Sequence, residues 1–208
     1  MPSYHAHVLV LKKTKLGETD VICTLLSADG SQLRAVAKGA RKPTSKMCGL
    51  TEPFCVLDAL LYTGRNLDVI RDATLTHANA ALRSDYDKLQ PACVVLDFLA
   101  QSTEVGEYVP RLFDLTLATL DVMASAPPDR CPQLMVAFLL KAMAMLGYSP
   151  QYDICAKHRW LGQLFVSTMA QVADFDIPQR TRDVLPRYVT QFVRRHMPAR
   201  IRTLDAYS

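Results

Sequence analysis

The stretch Val21-Ile-Cys-Thr-Leu-Leu-Ser-Ala-Asp-Gly-Ser-Gln-Leu-Arg-Ala-Val-Ala37 contains two β-rich runs that are joined by the turn Ala28-Asp-Gly-Ser31. This pattern predicts two strands, Val21–Leu26 and Leu33–Ala37. Three further runs of the same kind lie before about residue 80: His7–Leu11, Phe54–Tyr62 and Leu67–Ile70. Five short strands in about 75 residues are typical of a small antiparallel barrel, and the OB-fold is the commonest five-stranded solution. We therefore expect an OB-fold over residues 1–80.

The pattern changes from strands to helices after residue 80. Apolar residues then recur at steps of three and four, beginning with Leu82, Tyr86 and Leu89, which predicts amphipathic helices. A segment at about 131–146 is apolar on most sides, so we expect it to be a central, buried helix. The predicted fold class is α+β, with the barrel at residues 1–80 followed by an α-helical domain at residues 81–208 that binds partners.

The composition is that of an ordinary folded protein, with 208 residues, 50% of them hydrophobic, and a net charge of +4. The six cysteines contain no CxxC pair, which argues against a disulfide scaffold and a four-cysteine zinc site. We see no signal peptide, and the longest apolar stretch, Leu134–Leu146, is too short to cross a bilayer. These features predict a reduced, cytoplasmic protein without a membrane contact.

The small net charge conceals an uneven distribution. Residues 1–80 hold 10 basic and 7 acidic residues, residues 81–152 hold 5 and 8, and residues 153–208 hold 9 and 5. Most of the local excess lies between Lys12 and Lys46. The cations of that segment are Lys12, Lys13, Lys15, Arg34, Lys38, Arg41, Lys42 and Lys46. Two basic ends therefore flank an acidic middle.

The segment Lys38-Gly-Ala-Arg-Lys-Pro-Thr-Ser-Lys46, called the basic loop below, predicts a phosphate-binding loop that leaves a strand. Lysine and arginine supply charge to phosphates, and glycine lets backbone N–H groups approach them. On a barrel, the loop and the first strand would form one positive groove, with Tyr4, Phe54 and Tyr62 as candidate stacking residues. The alternative is a solvated, basic surface without a ligand.

An ordered series of motifs resembles the N-terminal domain of the bacterial RecO family of recombination mediators. It includes Gly17-Glu-Thr-Asp20, Ala37-Lys-Gly-Ala-Arg-Lys42 and Glu52-Pro-Phe54. Further on, Gly147-Tyr-Ser-Pro150 is similar to the turn after the family's buried helix, and Tyr188–His196 is similar to its last helix. The resemblance covers most of the chain in the family's order.

The resemblance implies a DNA repair protein without catalytic activity. Such proteins bind single- and double-stranded DNA, anneal strands, engage the acidic C-terminal tail of single-stranded DNA-binding protein and, with RecR, help to load RecA onto coated strands. The implied DNA contacts, with Lys46 added as the last cation of the basic loop, are Lys12, Lys15, Arg34, Lys38, Arg41, Lys42, Lys46 and Arg65. The alternative is a protein-only adaptor whose barrel makes no physiological DNA contact.

The chain departs from the family pattern after Pro150. Many members carry a four-cysteine zinc site there, whereas this sequence has only Cys155 and His158 and no later cysteine. We therefore expect neither a metal nor a cofactor. Cys155 and His158 are spaced like a nucleophile and its base, but no oxyanion or phosphate-loop signal accompanies them, so we expect no enzyme activity.

Three arginines of the predicted last helix, Arg187, Arg194 and Arg195, share a helix face at steps of seven and eight. They mark either a solvated surface or a partner site. The partner would be a second stretch of DNA or the acidic tail of single-stranded DNA-binding protein.

Overall fold

The structure of the chain is a computed structural model that describes residues 2–156, 158–197 and 200–207. The chain divides into two compact units. The first, called the barrel unit, contains the residues up to Asn79 together with Thr103–Phe113. The second, called the helical unit, contains Ala80–Ser102 and the residues from Asp114 onward.

The strands of the barrel unit are β1 (Ser3–Leu16), β2 (Asp20–Ser27), β3 (Gln32–Ala37), β4 (Val56–Tyr62) and β5 (Asp68–His77). They form a closed barrel in the order β1-β2-β3-β5-β4, which confirms the predicted fold class. The sequence suggested an antiparallel barrel, but the β3–β5 pair is parallel and the other four pairs are antiparallel.

Alternation along the strands fills the barrel interior with small and branched apolar side chains. Val8 and Val10 of β1, Cys23 and Leu25 of β2, and Ala35 of β3 are all buried in this core. The pairing register of β1 with β2 shifts between Val10 and Lys12. This bulge at Leu11 changes which later residues of β1 face outward.

A short helix, α1 (Lys46–Leu50), begins at the last residue of the basic loop. The Ser45 hydroxyl caps it by accepting a hydrogen bond from the Met47 N–H at 3.2 Å. Leu50 joins the barrel core, and Met47 packs against that core. Their burial anchors the end of the basic loop.

The segment Thr103–Phe113 packs with the barrel, although its position in the sequence places it within the predicted helical domain. The Gln32 N–H donates to the Glu104 carbonyl at 3.1 Å, and the buried Gln32 side chain donates to the Thr103 carbonyl at 2.9 Å. A buried amide needs such partners, and this segment provides them. Gly30 allows the close approach, because a Cβ atom there would lie 2.0 Å from the Val109 carbonyl oxygen.

The helical unit is built around α5 (Cys131–Met145), which is buried along most of its length as predicted. Phe98 of α3 (Tyr86–Ser102) and Phe138 of α5 meet edge to face in the core of the unit. No helix among the residues described is long and apolar enough to cross a membrane. The remaining helices are α2 (Ala80–Ser84), α4 (Leu112–Ser125), α6 (Arg159–Val166), α7 (Met169–Asp174), α8 (Gln179–Arg182) and α9 (Leu185–His196), with short turns of other helix types at Pro128–Arg130, Gln151–Cys155 and Arg202–Tyr207.

Candidate nucleic-acid interface

Two of the predicted DNA-binding cations lie in one row across the outer wall of the barrel. Lys12 of β1 pairs with Thr24 of β2, and Thr24 pairs with Arg34 of β3. Lys12 and Arg34 are both exposed. Neighbouring strands are about 4.8 Å apart, so the backbones at Lys12 and Arg34 lie about 10 Å apart. The barrel register therefore brings together two charges that are distant in the sequence.

Arg65 lies in the turn between β4 and β5, next to the same row. This turn leads into β5 at Asp68, which pairs with Ala35, the residue after Arg34. The Asp68 carboxylate accepts a hydrogen bond from the Gly64 N–H at 3.0 Å and another from the Tyr4 hydroxyl at 2.5 Å. These bonds fix the turn, and the exposed Arg65 extends the row past β3.

The basic loop is fastened to the turn between β1 and β2. The Asp20 carboxylate accepts a hydrogen bond from the Gly39 N–H at 2.8 Å, and the Thr19 carbonyl accepts one from the Arg41 N–H at 2.8 Å. The bond from Gly39 is the main reason that the pKa of Asp20 lies below its usual range, and the nearby charges of Lys38 and Lys42 lower this pKa further. Two of the motifs that carry the family resemblance, Gly17–Asp20 and Ala37–Lys42, are therefore in direct contact.

Arg41 has a positional role that the sequence does not indicate. Its guanidinium donates to the Gly17 carbonyl at 3.0 Å and to the Glu18 carbonyl at 2.7 Å. Both acceptors are neutral, so the positive charge of Arg41 is not cancelled by these bonds. Lys15 of β1 pairs with Val21, and Val21 pairs with Ala37, which places Lys15 beside the start of the basic loop.

The predicted cations differ in whether a nearby carboxylate neutralises their charge. The Lys46 ammonium lies 3.2 Å from the Asp72 carboxylate, and this hydrogen bond is the largest cause of the lowered pKa of Asp72. Within the described part of the chain, four of the others form no ion pair, namely Lys12, Lys15, Arg34 and Arg65. These four charges are available to phosphates, whereas Lys46 is partly neutralised.

The aromatic residues proposed for base stacking do not form a platform on the barrel. Phe54 is only 2% exposed and packs inside, so the sequence prediction for this residue is wrong. Tyr4 and Tyr62 are half-buried, and the Tyr4 hydroxyl is held by Asp68. These three residues therefore provide no stacking platform, whereas the exposed cations of the barrel wall are suited to phosphate contacts.

The residues after Pro150 do not fit the zinc site that the family resemblance raises. Cys155 is buried and is the last cysteine of the sequence, whereas a zinc site needs three or four protein ligands. The His158 ring instead stacks on Tyr188 at a centroid distance of 4.1 Å. Among the residues that the structure describes, no three His, Cys, Asp or Glu side chains are grouped to hold a metal ion.

A hydrogen-bonded contact between α5 and α6, which the sequence does not predict, lies near Cys155. Lys141 of the apolar helix α5 donates to the Phe165 carbonyl near the end of α6, and its ammonium lies 5.8 Å from the centroid of the Phe165 ring. Burial lowers the pKa of Lys141, and the nearby Cys155 opposes this shift. The only sequence signal for this contact is one lysine that interrupts an apolar helix.

The three C-terminal arginines of the partner prediction separate into two groups. Arg194 donates to the Asp205 carboxylate at 2.6 Å, and Arg200 donates to the same carboxylate at 2.6 Å. Arg187 and Arg195 are exposed and form no ion pair with any described residue. Only these last two keep their full charge for a partner.

Comparisons with known proteins cover both units. Residues 1–79 match the family described as "Recombination protein O N terminal", and residues 83–159 match "Recombination protein O C terminal". The chain is 35% identical over 180 residues to the DNA repair protein RecO of Nocardioides sp. (strain ATCC BAA-499 / JS614), an alignment that covers 79% of this chain and 73% of that protein. The two matched ranges meet near residue 80, where strands give way to helices.

Proposed function

Because the chain belongs to the RecO family of DNA repair proteins, we propose that its barrel binds single- and double-stranded DNA through the phosphate backbone. The observation that carries this proposal is the exposed row of Lys12 and Arg34, which continues into the basic loop. Lys38 follows Arg34 by four residues, about 13 Å of extended chain. Cations this far apart can contact different phosphates of the same strand.

The proposed binding is independent of base sequence. Lysine and arginine on phosphates position a strand, whereas bases are read by contacts to their edges or by stacking. The barrel wall offers cations, and none of the three candidate stacking residues is fully exposed. We therefore propose that this protein handles strands of any sequence, as a factor that anneals complementary strands must.

The wider role is that of a mediator without catalytic activity. With RecR, the protein would help RecA to load onto strands coated by single-stranded DNA-binding protein, whose acidic C-terminal tail it would engage, at the bacterial chromosome in the cytoplasm. Family membership is the support for these partners. The raised pKa of Cys155 and the stacking of His158 on Tyr188 support the absence of a thiolate nucleophile.

The direct test is the salt dependence of binding to a fluorescent single strand, measured by anisotropy. If about five phosphates are neutralised, the logarithm of affinity should fall with the logarithm of salt concentration at a slope of about −3.5. The variant Lys12→Glu/Arg34→Glu/Lys38→Glu should bind every sequence more weakly and with a shallower slope. Arg180→Glu is the matched control, since Arg180 is an exposed arginine of α8 without an ion pair to a described residue.

A triple variant with unchanged affinity and slope would refute the barrel site and favour a protein-only adaptor. The mediator role has its own test, which is annealing of complementary strands coated with single-stranded DNA-binding protein that has or lacks its acidic tail. We expect faster annealing on the tailed coat. Equal rates on the two coats would contradict recruitment through the tail.

A further inference from the structure

We propose that the helical unit carries a second binding site for single-stranded nucleic acid on one face of α9. We call this site the α9 strip and define it by Arg187, Tyr188, Gln191 and Arg195 together with His158. The inference rests on the proposed function in one respect, since a protein that anneals strands must hold more than one of them.

The helical period places these side chains on the outer face of α9. Steps of three and four residues connect Tyr188, Gln191 and Arg195, and Arg187 is adjacent to this row. All four residues are exposed, whereas Val189, Phe192 and Val193 point into the core of the unit and are buried. The packing of the buried face fixes the direction in which the outer face points.

Tyr188 is the candidate stacking residue of the strip. Its ring is 39% exposed, and the His158 ring lies against it at a centroid distance of 4.1 Å with an angle of 38° between the planes. This contact orders the tyrosine ring before any ligand arrives, which reduces the entropy cost of binding. A base that stacks on an ordered aromatic side chain gains affinity whatever its identity, because every base has a π face.

The charges of the strip are uncompensated, unlike those of neighbouring arginines. Arg194, one position before Arg195, is paired with Asp205, which also binds Arg200. Arg187 and Arg195 have no ion pair with a described residue and lie on either side of Gln191. An exposed ring on the same helix face as two unpaired guanidinium groups is the combination that single-strand binding sites use.

An acidic peptide is the competing ligand for the same charges. Such a tail needs an apolar pocket as well as cations, but the strip is an open helix face. The helical unit does have a cavity of about 450 Å³, which is lined by Asp129, Pro132, Gln179, Arg182, Asp183, Pro186 and Tyr207. Its two carboxylates oppose an acidic peptide, and Arg182 is already bound to Asp129. These features favour the nucleic acid.

The test uses the full chain and two probes of equal length, fluorescent oligothymidylate and an oligomer of abasic sugar-phosphate units. Tyr188→Leu should weaken the binding of oligothymidylate about fivefold or more, because stacking contributes about 1–3 kcal/mol per base. Its affinity for the abasic probe should not change. Tyr188→Phe should retain the wild-type affinity. Arg187→Glu/Arg195→Glu should weaken both probes and make the salt slope shallower by about 1.4, while Arg180→Glu should change neither.

The same variants in the Lys12→Glu/Arg34→Glu/Lys38→Glu background separate this inference from the proposed barrel site. If the barrel variant still binds oligothymidylate and adding the strip substitutions removes this remaining binding, the result supports the strip. Equal affinity of wild type, Tyr188→Leu and Arg187→Glu/Arg195→Glu for oligothymidylate would overturn the proposal. Loss of binding to the acidic tail peptide with unchanged oligonucleotide affinity would overturn it as well. Circular dichroism confirms that each variant is folded.

Discussion

The Asp20 carboxylate accepts a hydrogen bond from the Gly39 N–H at 2.8 Å, so an acidic residue holds the most basic loop of the chain. A negative charge beside Lys38 and Lys42 weakens the attraction of this loop for phosphates. The contact nevertheless fixes the direction of the backbone from which both lysines project. The hydrogen bond of Asp20 should therefore favour DNA binding by the loop, whereas its negative charge should oppose it. Two substitutions separate these effects.

Asp20→Asn keeps an oxygen acceptor for Gly39 and removes the negative charge, so we expect DNA affinity to rise modestly at low salt. Asp20→Ala removes both, so we expect the loop to loosen and affinity to fall below that of Asp20→Asn. Hydrogen exchange at Gly39 and Arg41, together with anisotropy, measures the two effects. An alanine variant that binds as tightly as the asparagine variant would show that the loop does not need this anchor.

Gly30→Ala should detach the segment Thr103–Phe113 from the barrel. The new Cβ would lie 2.0 Å from the Val109 carbonyl oxygen, and Gly30 has a φ of +84°. Gly106→Ala is the matched control, because Gly106 has a φ of +85° and nothing lies within 4 Å of its Cβ position. Both variants carry backbone strain of about 1 kcal/mol, and only Gly30→Ala adds the clash.

The measurement for this pair is the free energy of unfolding in urea together with exchange of the Gln32 amide, which donates to Glu104. We expect Gly30→Ala to lose clearly more stability than Gly106→Ala and to expose the Gln32 amide. Equal losses would mean that the segment moves aside at little cost.

The barrel could be predicted from sequence because its signal is local. The β-rich runs Val21–Leu26 and Leu33–Ala37, separated by a turn signal, identify strands without reference to the rest of the chain. The ends of β1 and β5 were underestimated, since β1 continues to Leu16 through three lysines and β5 continues to His77. Those residues lie on the outer wall, where polar side chains are compatible with a strand.

The site was less predictable, because it depends on pairing between distant residues. Lys12 meets Thr24 only because the bulge at Leu11 shifts the register of β1, and no local pattern shows such a shift. The packing of Thr103–Phe113 depends on the buried amide of Gln32, which looks like an ordinary polar residue in the sequence. The sequence shows which residue types are suited to the site, but only the fold shows which of these residues are neighbours.

The buried thiols should make the protein less stable in alkali. Burial raises the pKa of Cys23 to about 12 and the pKa of Cys131 to about 11. The unfolded chain releases these protons from about pH 8.5, while the folded protein retains them until about pH 11. Stability therefore falls in this window, by about 1.4 kcal/mol per pH unit for each thiol.

Urea unfolding at pH 7.5 and pH 9.5 measures this loss, and Cys131→Ala should show a smaller difference between the two pH values. A thiol reagent provides a second measurement in the native state. The half-buried Cys48 and Cys93 should react first, and Cys23, Cys55, Cys131 and Cys155 only on unfolding. A free energy of unfolding that is the same at both pH values would contradict the burial of Cys23 and Cys131.

Lys141 should stabilise the packing of α6 against α5. Lys141→Ala removes the hydrogen bond to the Phe165 carbonyl and leaves a small cavity, so we expect a loss of about 2 kcal/mol. Lys141→Met retains most of the packing and should lose less. Because burial lowers the pKa of Lys141, the folded protein releases this proton at a lower pH than the unfolded chain does. The wild type should therefore gain stability relative to Lys141→Met as the pH rises through the lowered pKa.

The measurements are urea unfolding with and without a strong zinc chelator and hydrogen exchange along α6. We expect the chelator to leave the wild-type transition unchanged and Lys141→Ala to accelerate exchange at the end of α6, near Phe165. Lys88→Ala serves as a comparison, since Lys88 also donates to a backbone carbonyl, that of Ala124 at 2.7 Å, but in another part of the unit. It should destabilise the protein without selective exchange in α6. A transition that shifts with chelator while Lys141→Ala has no effect would assign the stabilisation of this contact to a metal instead.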